Sequence, residues 1–170
     1  MLRLAKAFWD ISLWRRTPEQ LPASLFLLSL VAGAAALLEV LSALQPPISI
    51  PQMFARVVLS VGLPLAFVWV ALLLAHRPHR FLQTSIAVLG VDVLAGLILY
   101  PIGSLMHFIG PDSFAAVPLG ILMLAGLVWY LLACANIWRC ALDGGVGMGM
   151  VVSVGYFLMS ILEQQLLPDK

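Results

Sequence analysis

Five apolar runs, 23–44, 57–75, 81–100, 114–137 and 146–162, constrain this chain more than any other feature. A helix crosses a hydrocarbon core in about 17–25 residues, and each run has that length. The second, fourth and fifth contain no Asp, Glu, Lys or Arg, while the first holds Glu39 and the third Asp92. Strands are excluded, because an open sheet edge would leave amides and carbonyls unpaired in lipid. Of the 170 residues, 62% are hydrophobic and 10% charged. Soluble domains carry about a quarter charged residues, so lipid has to be part of the solvent here. The predicted fold class is an all-α membrane protein. It is a bundle of about five transmembrane helices preceded by a short interfacial amphipathic helix.

The chain divides into an N-terminal cytoplasmic or interfacial segment (1–20), a transmembrane bundle (21–166) and a short outer tail (167–170). Turn chemistry separates the runs: Gln45-Pro46-Pro47, His76-Arg77-Pro78-His79-Arg80, Gly110-Pro111-Asp112 and Asp143-Gly144-Gly145. Pro101 and Gly103 predict that the third helix kinks or stops early, leaving 102–109 as an interfacial or re-entrant piece. Within 2–14, Arg3, Lys6 and Asp10 form a narrow polar strip. Leu4, Phe8, Trp9, Ile11 and Trp14 are expected in the headgroup zone. Thr17, followed by Pro18, has the chemistry of a helix cap. The first apolar run continues past the small residues 32–36, which favours an uncleaved anchor over a cleaved signal peptide.

Orientation follows from the basic residues. Arg3, Lys6, Arg15, Arg16, Arg77, Arg80 and Arg139 share one side of a five-span chain, with Arg56 and Lys170 opposite. The positive-inside rule makes the richer side cytoplasmic. The N-terminus is then cytoplasmic and the C-terminus periplasmic, in a multi-pass protein of a bacterial inner membrane. A net charge of +1 argues against nucleic acid as a partner.

Asp92 is the sharpest polar feature. It lies roughly 16 Å into its span at 1.5 Å per residue, near the midplane. An ionised carboxylate there costs several kcal/mol unless it is paired, hydrated or protonated. It is either a proton or ion site, or a carboxyl that ties helices together, with Thr84 and Ser85 the polar groups nearest on its own helix. Glu39 and Arg56 lie almost equally far from the break between the first two spans. In an antiparallel hairpin they would meet as a partly desolvated ion pair. In the last span Gly145, Gly149 and Ser153 recur every four residues and share one face. Such faces let helix backbones approach closely, within the chain or between copies.

Catalytic groups are not in evidence. The sequence holds no Gly-x-Ser-x-Gly elbow, His-Glu-x-x-His motif, phosphate loop or Rossmann glycine set. No cofactor is implied. His76 and His79 lack further ligands for a metal and are read as interfacial, with Arg77, Arg80 and Arg139 at lipid phosphates. Cys134 and Cys140 are expected as unpaired thiols, at a spacing unsuited to zinc.

Five spans, a cytoplasmic N-terminus, a short outer C-terminus and the polar break 139–145 before a glycine-rich last helix form a recognisable layout. It resembles the small bacterial relatives of the YIP family, multi-pass proteins named for interaction with Ypt/Rab GTPases. The resemblance implies a non-enzymatic protein that organises lipids or membrane partners, a second copy of itself among them. The Tyr-Gly-Pro type motif of eukaryotic members is absent from this sequence, so GTPase binding is not carried over. The competing expectation is a small proton- or ion-coupled transporter, or a subunit of one, that uses Asp92.

Overall fold

The computed structural model describes residues 2–15, 18–42, 49–110 and 113–166. Among them it contains six α-helices and two 3-10 turns, with no strand. The helices are α1 (Leu2–Ser12), α2 (Leu25–Ser42), α3 (Ile50–Leu74), α4 (Phe81–Ile109), α5 (Ala116–Leu142) and α6 (Val146–Leu166). The turns are Pro18–Gln20 and Pro78–Arg80. Helices α2 to α5 are long and apolar enough to cross a membrane, and α6 holds a shorter apolar stretch, Val146–Leu162. The chain is an all-α membrane bundle. The expected Thr17 cap, the Gln45-Pro46-Pro47 break, Pro111-Asp112 and the outer tail lie outside the described residues.

Several helix ends depart from the apolar runs, each for a local reason. Helix α3 starts seven residues before the second run. Ser49 and Gln52 form a capping box, with the Gln52 side-chain oxygen accepting from the Ser49 N–H at 3.2 Å, and Pro51 sits in the first turn. The cap and the proline's fixed φ begin the helix outside the apolar stretch, which places Arg56 within α3. Pro101 neither stops α4 nor makes 102–109 a separate piece: the helix continues to Ile109. One proline removes one hydrogen bond, whereas ending a helix in lipid strands a whole turn of carbonyls. Helix α5 runs on to Leu142, so Arg139 falls in its last turn, where a cation complements the carbonyl end of the helix dipole.

Helix α5 packs against both α4 and α6, α2 against α3 and α4, and α3 against α4. The largest departure concerns α1. Part of its apolar face turns inward: the helix packs against α4 and α5, with Phe8, Ile11 and Ser12 buried. The Phe8 ring occupies the space where Gly90 of α4 would carry a side chain. Asn136 donates to the Ile11 carbonyl at 3.1 Å, and the Trp14 indole donates to the Leu132 carbonyl at 3.0 Å. Trp9 and Trp14 remain the exposed aromatic residues of this segment.

Burial is one-sided along the bundle. Helix α4 is buried without a gap from Thr84 to Val91, and α5 from Ala133 to Trp138. In the opposite halves, 32–42, 49–63, 96–110, 113–132 and 157–162, no described side chain is buried.

Candidate functional site: an intramembrane carboxylate held by two tyrosines

Asp92 follows directly on the buried segment of α4 and is half-buried. Both of its carboxylate oxygens are engaged. The Tyr130 hydroxyl, from α5, donates to Oδ1 at 2.8 Å. The Tyr156 hydroxyl, from α6, donates to Oδ2 at 2.5 Å. Three helices therefore converge on one carboxyl group. The Tyr156 contact has the length of a charge-assisted O–H···O bond and the Tyr130 contact that of an ordinary one. Each donor relieves part of the cost of holding a carboxyl group away from water.

The tyrosines are themselves held. Tyr156 is buried, its ring 5.4 Å from that of Phe67 on α3 and 6.3 Å from that of Trp138 on α5. Phe67 also meets Trp138 edge-on at 5.5 Å. Tyr130 lies one helical turn before Cys134, a buried free thiol. Thr84 and Ser85, the polar neighbours expected from sequence, are buried too, but the Ser85 hydroxyl has no hydrogen-bond partner among the described residues. The partners of Asp92 thus come from other helices.

That pairing has a sequence signal in retrospect. From the arginine-marked helix ends, Asp92, Tyr130 and Tyr156 lie roughly 16, 18 and 15 Å deep at 1.5 Å per residue. Matching polar residues by depth across antiparallel spans would have singled out the two tyrosines.

The small-residue face of α6 is seated within the chain along part of its length. Gly149 is buried, and a side chain there would collide with the Ala135 carbonyl and the Arg139 amide of α5. Ser153, also buried, donates to the Leu131 carbonyl at 2.9 Å. Gly145 is exposed, with open space around it. Glu39 and Arg56 are both half-buried, on the packed pair α2 and α3, and each takes part in a further interaction.

A second polar cluster closes the arginine-marked end. Helices α3 and α5 both finish in Schellman motifs. The Arg77 N–H reaches the Leu72 carbonyl and the Gly144 N–H reaches that of Arg139, with His76 and Asp143 in the left-handed position. Arg77 forms an ion pair with Asp143. Arg80 donates to Asp143 at 3.1 Å and to the Cys140 carbonyl at 2.6 Å, and it also meets Glu19 at 3.1 Å. The arginines expected at lipid phosphates thus also tie together the α3–α4 and α5–α6 turns. Arg139 donates to Asn136 at 3.0 Å and lies 4.8 Å above the Trp14 ring. His76 and His79 are exposed, and no group of three His, Cys, Asp or Glu among the described residues could hold a metal ion.

No family model, curated protein or solved structure matches the chain.

Proposed function

We propose that this chain is a non-enzymatic membrane component that organises lipids or other membrane proteins, with Asp92 serving as an internal tie. The observation that carries this is the full engagement of Asp92, one tyrosine hydroxyl on each oxygen, from two different helices. A coupling carboxylate has to exchange a proton or ion with water, and one clamped on both oxygens by buried or half-buried phenols is better arranged to hold α4, α5 and α6 together. The apolar ring cluster of Phe67, Trp138 and Tyr156 beside it supports a dry interface. A role of this kind also fits the resemblance to small YIP relatives. The arginine-rich end would face the cytoplasm of a bacterial cell.

The test separates a tie from a coupling site. Asp92→Asn keeps an acceptor for one phenol and loses the other, so the protein should insert but melt at a lower temperature in detergent. Wild-type protein in liposomes should carry no proton or cation flux above that of empty vesicles under an imposed pH gradient. A wild-type flux that disappears in a folded Asp92→Asn variant would overturn the assignment in favour of a proton- or ion-coupled transporter.

A further inference from the structure

Helices α3 and α6 make few contacts with each other and meet at Phe67, whose ring stands 4.0 Å from where a Gly155 side chain would begin and lies tilted against that of Tyr156. From that point towards the arginine-marked end they leave a groove of about 550 Å³ between them. Its walls are Val70, Ala71 and Leu74 on α3, and Met148 and Val152 on α6. Arg77 and Gly144 stand at its mouth. We propose that this groove binds one acyl chain of an anionic phospholipid, whose phosphate lies against Arg77. The proposal is independent of the role given to Asp92.

Three observations select that occupant. The first is length. Phe67 to Ala75 spans about 12 Å of helix, close to the roughly 15 Å of hydrocarbon in one leaflet. A chain entering from the arginine-marked side therefore ends where Phe67 closes the groove. The second is the distribution of polarity. The walls are aliphatic down to the closing ring, and polar groups gather at one end only, as an amphiphile lying parallel to the helices requires. Several wall residues are freely accessible, Leu74 at 78% and Met148 at 56%, and the volume falls within the ordinary range for a ligand site.

The third observation is charge. At this end Arg77, Arg80 and Arg139 outnumber Asp143 and Glu19, the carboxylates that Arg77 and Arg80 meet. The Arg77 side chain is 32% exposed. A guanidinium carries five N–H donors, so Arg77 can keep Asp143 on one side and take a phosphate oxygen with the others. The Schellman turn at His76 holds Arg77 over the end of α3, among the residues that line the groove.

The test uses the full chain in nanodiscs of phosphatidylcholine doped with a phosphatidylglycerol whose acyl chain carries a photoactivatable diazirine. Labelled residues are mapped by mass spectrometry. Labelling is expected to concentrate on Ala71, Met148 and Val152 over more exposed apolar residues such as Phe54, Phe108 and Val117. Arg77→Gln should lower groove labelling by about fivefold, the usual contribution of one basic residue near an anionic surface. Filling the groove with Ala71→Trp should abolish it. If Ala71→Trp unfolds the protein, Met148→Trp, at a more exposed wall position, takes its place. Labelling spread evenly over the exposed apolar surface would overturn the proposal, as would equal labelling by a phosphatidylcholine probe or indifference to Arg77→Gln. Any of these would mean an ordinary lipid annulus.

Discussion

The two ends of this bundle are built from the same kinds of helix and differ in almost everything else. The arginine-marked half holds every buried side chain described, including the unbroken segment from Thr84 to Val91. It also holds hydrogen bonds between side chains and atoms distant in sequence: Asp92 with its tyrosines, Asn136 with Ile11, Ser153 with Leu131, Arg80 with Cys140. In the opposite half, Phe54, Phe108 and Phe114 are 69–93% exposed. There the hydroxyls of Ser42, Ser60 and Ser160 bond carbonyls three residues back in their own helices, and the apolar helices carry the charged pair of residues Glu39 and Arg56. Lipid tails are as apolar as leucine, so burying apolar surface gains little inside a bilayer. Close packing, hydrogen bonds and an extra element then decide which half is tight. The extra element is α1, which fills one end only.

Removing what α1 supplies should produce the largest effect. Phe8→Ala vacates the space over Gly90 and is expected to cost about 3–5 kcal/mol, as for other buried aromatic truncations. Phe108→Ala, at an 89% exposed position, should change stability by under about 0.5 kcal/mol. The readout is thermal unfolding in detergent, followed by a thiol-reactive dye that reaches Cys134 only when the tight half opens. Equal melting temperatures for the two variants would break the comparison.

Glycines sharpen it next. Gly149→Leu forces α6 away from the Ala135 carbonyl, and overpacking of this kind is expected to cost about 3 kcal/mol or more. Gly120→Leu, with open space around it, should be neutral or slightly stabilising, since leucine is the better helix former. The same melting assay decides. A neutral Gly149→Leu would mean that the α5–α6 contact is looser than described.

The loose half should still contain one specific tie. If Glu39 and Arg56 pair across α2 and α3, a double-mutant cycle with Glu39→Gln and Arg56→Gln should give a coupling energy of about 1 kcal/mol. Additive single effects would show that each has a different partner. The smallest change is expected at His76, whose φ of 58° is unfavourable for a side chain with a Cβ. His76→Gly should raise stability by up to about 1 kcal/mol by relieving that conformation. A loss of stability there would assign the imidazole a contact beyond the turn.

Depth and order along the chain were readable because they depend on residue counts. Asp92 sits near mid-span simply because it is twelve residues past Arg80, the end of the arginine turn. The limits of α3 and α4 were less legible. A capping box outlasted the apolar run at Ser49, and a proline that ends helices in water was absorbed at Pro101. The strip Arg3, Lys6 and Asp10 marked α1 as amphipathic, but a narrow polar face does not say which helices the opposite face packs against. Only the fit of the Phe8 ring over Gly90 showed where that face goes.

The sequence by itself determined that the chain is helical, that lipid surrounds it, where its charged end lies and how deep Asp92 sits. These follow from hydropathy, backbone hydrogen bonding in lipid and the fixed rise of a helix, all local or additive properties. The tertiary structure alone decided that Tyr130 and Tyr156 hold Asp92, that α1 plugs one end, and that α3 and α6 stand apart there. Those outcomes depend on which helix faces meet, and in a bilayer that choice rests on shape and a few hydrogen bonds between residues far apart in the chain.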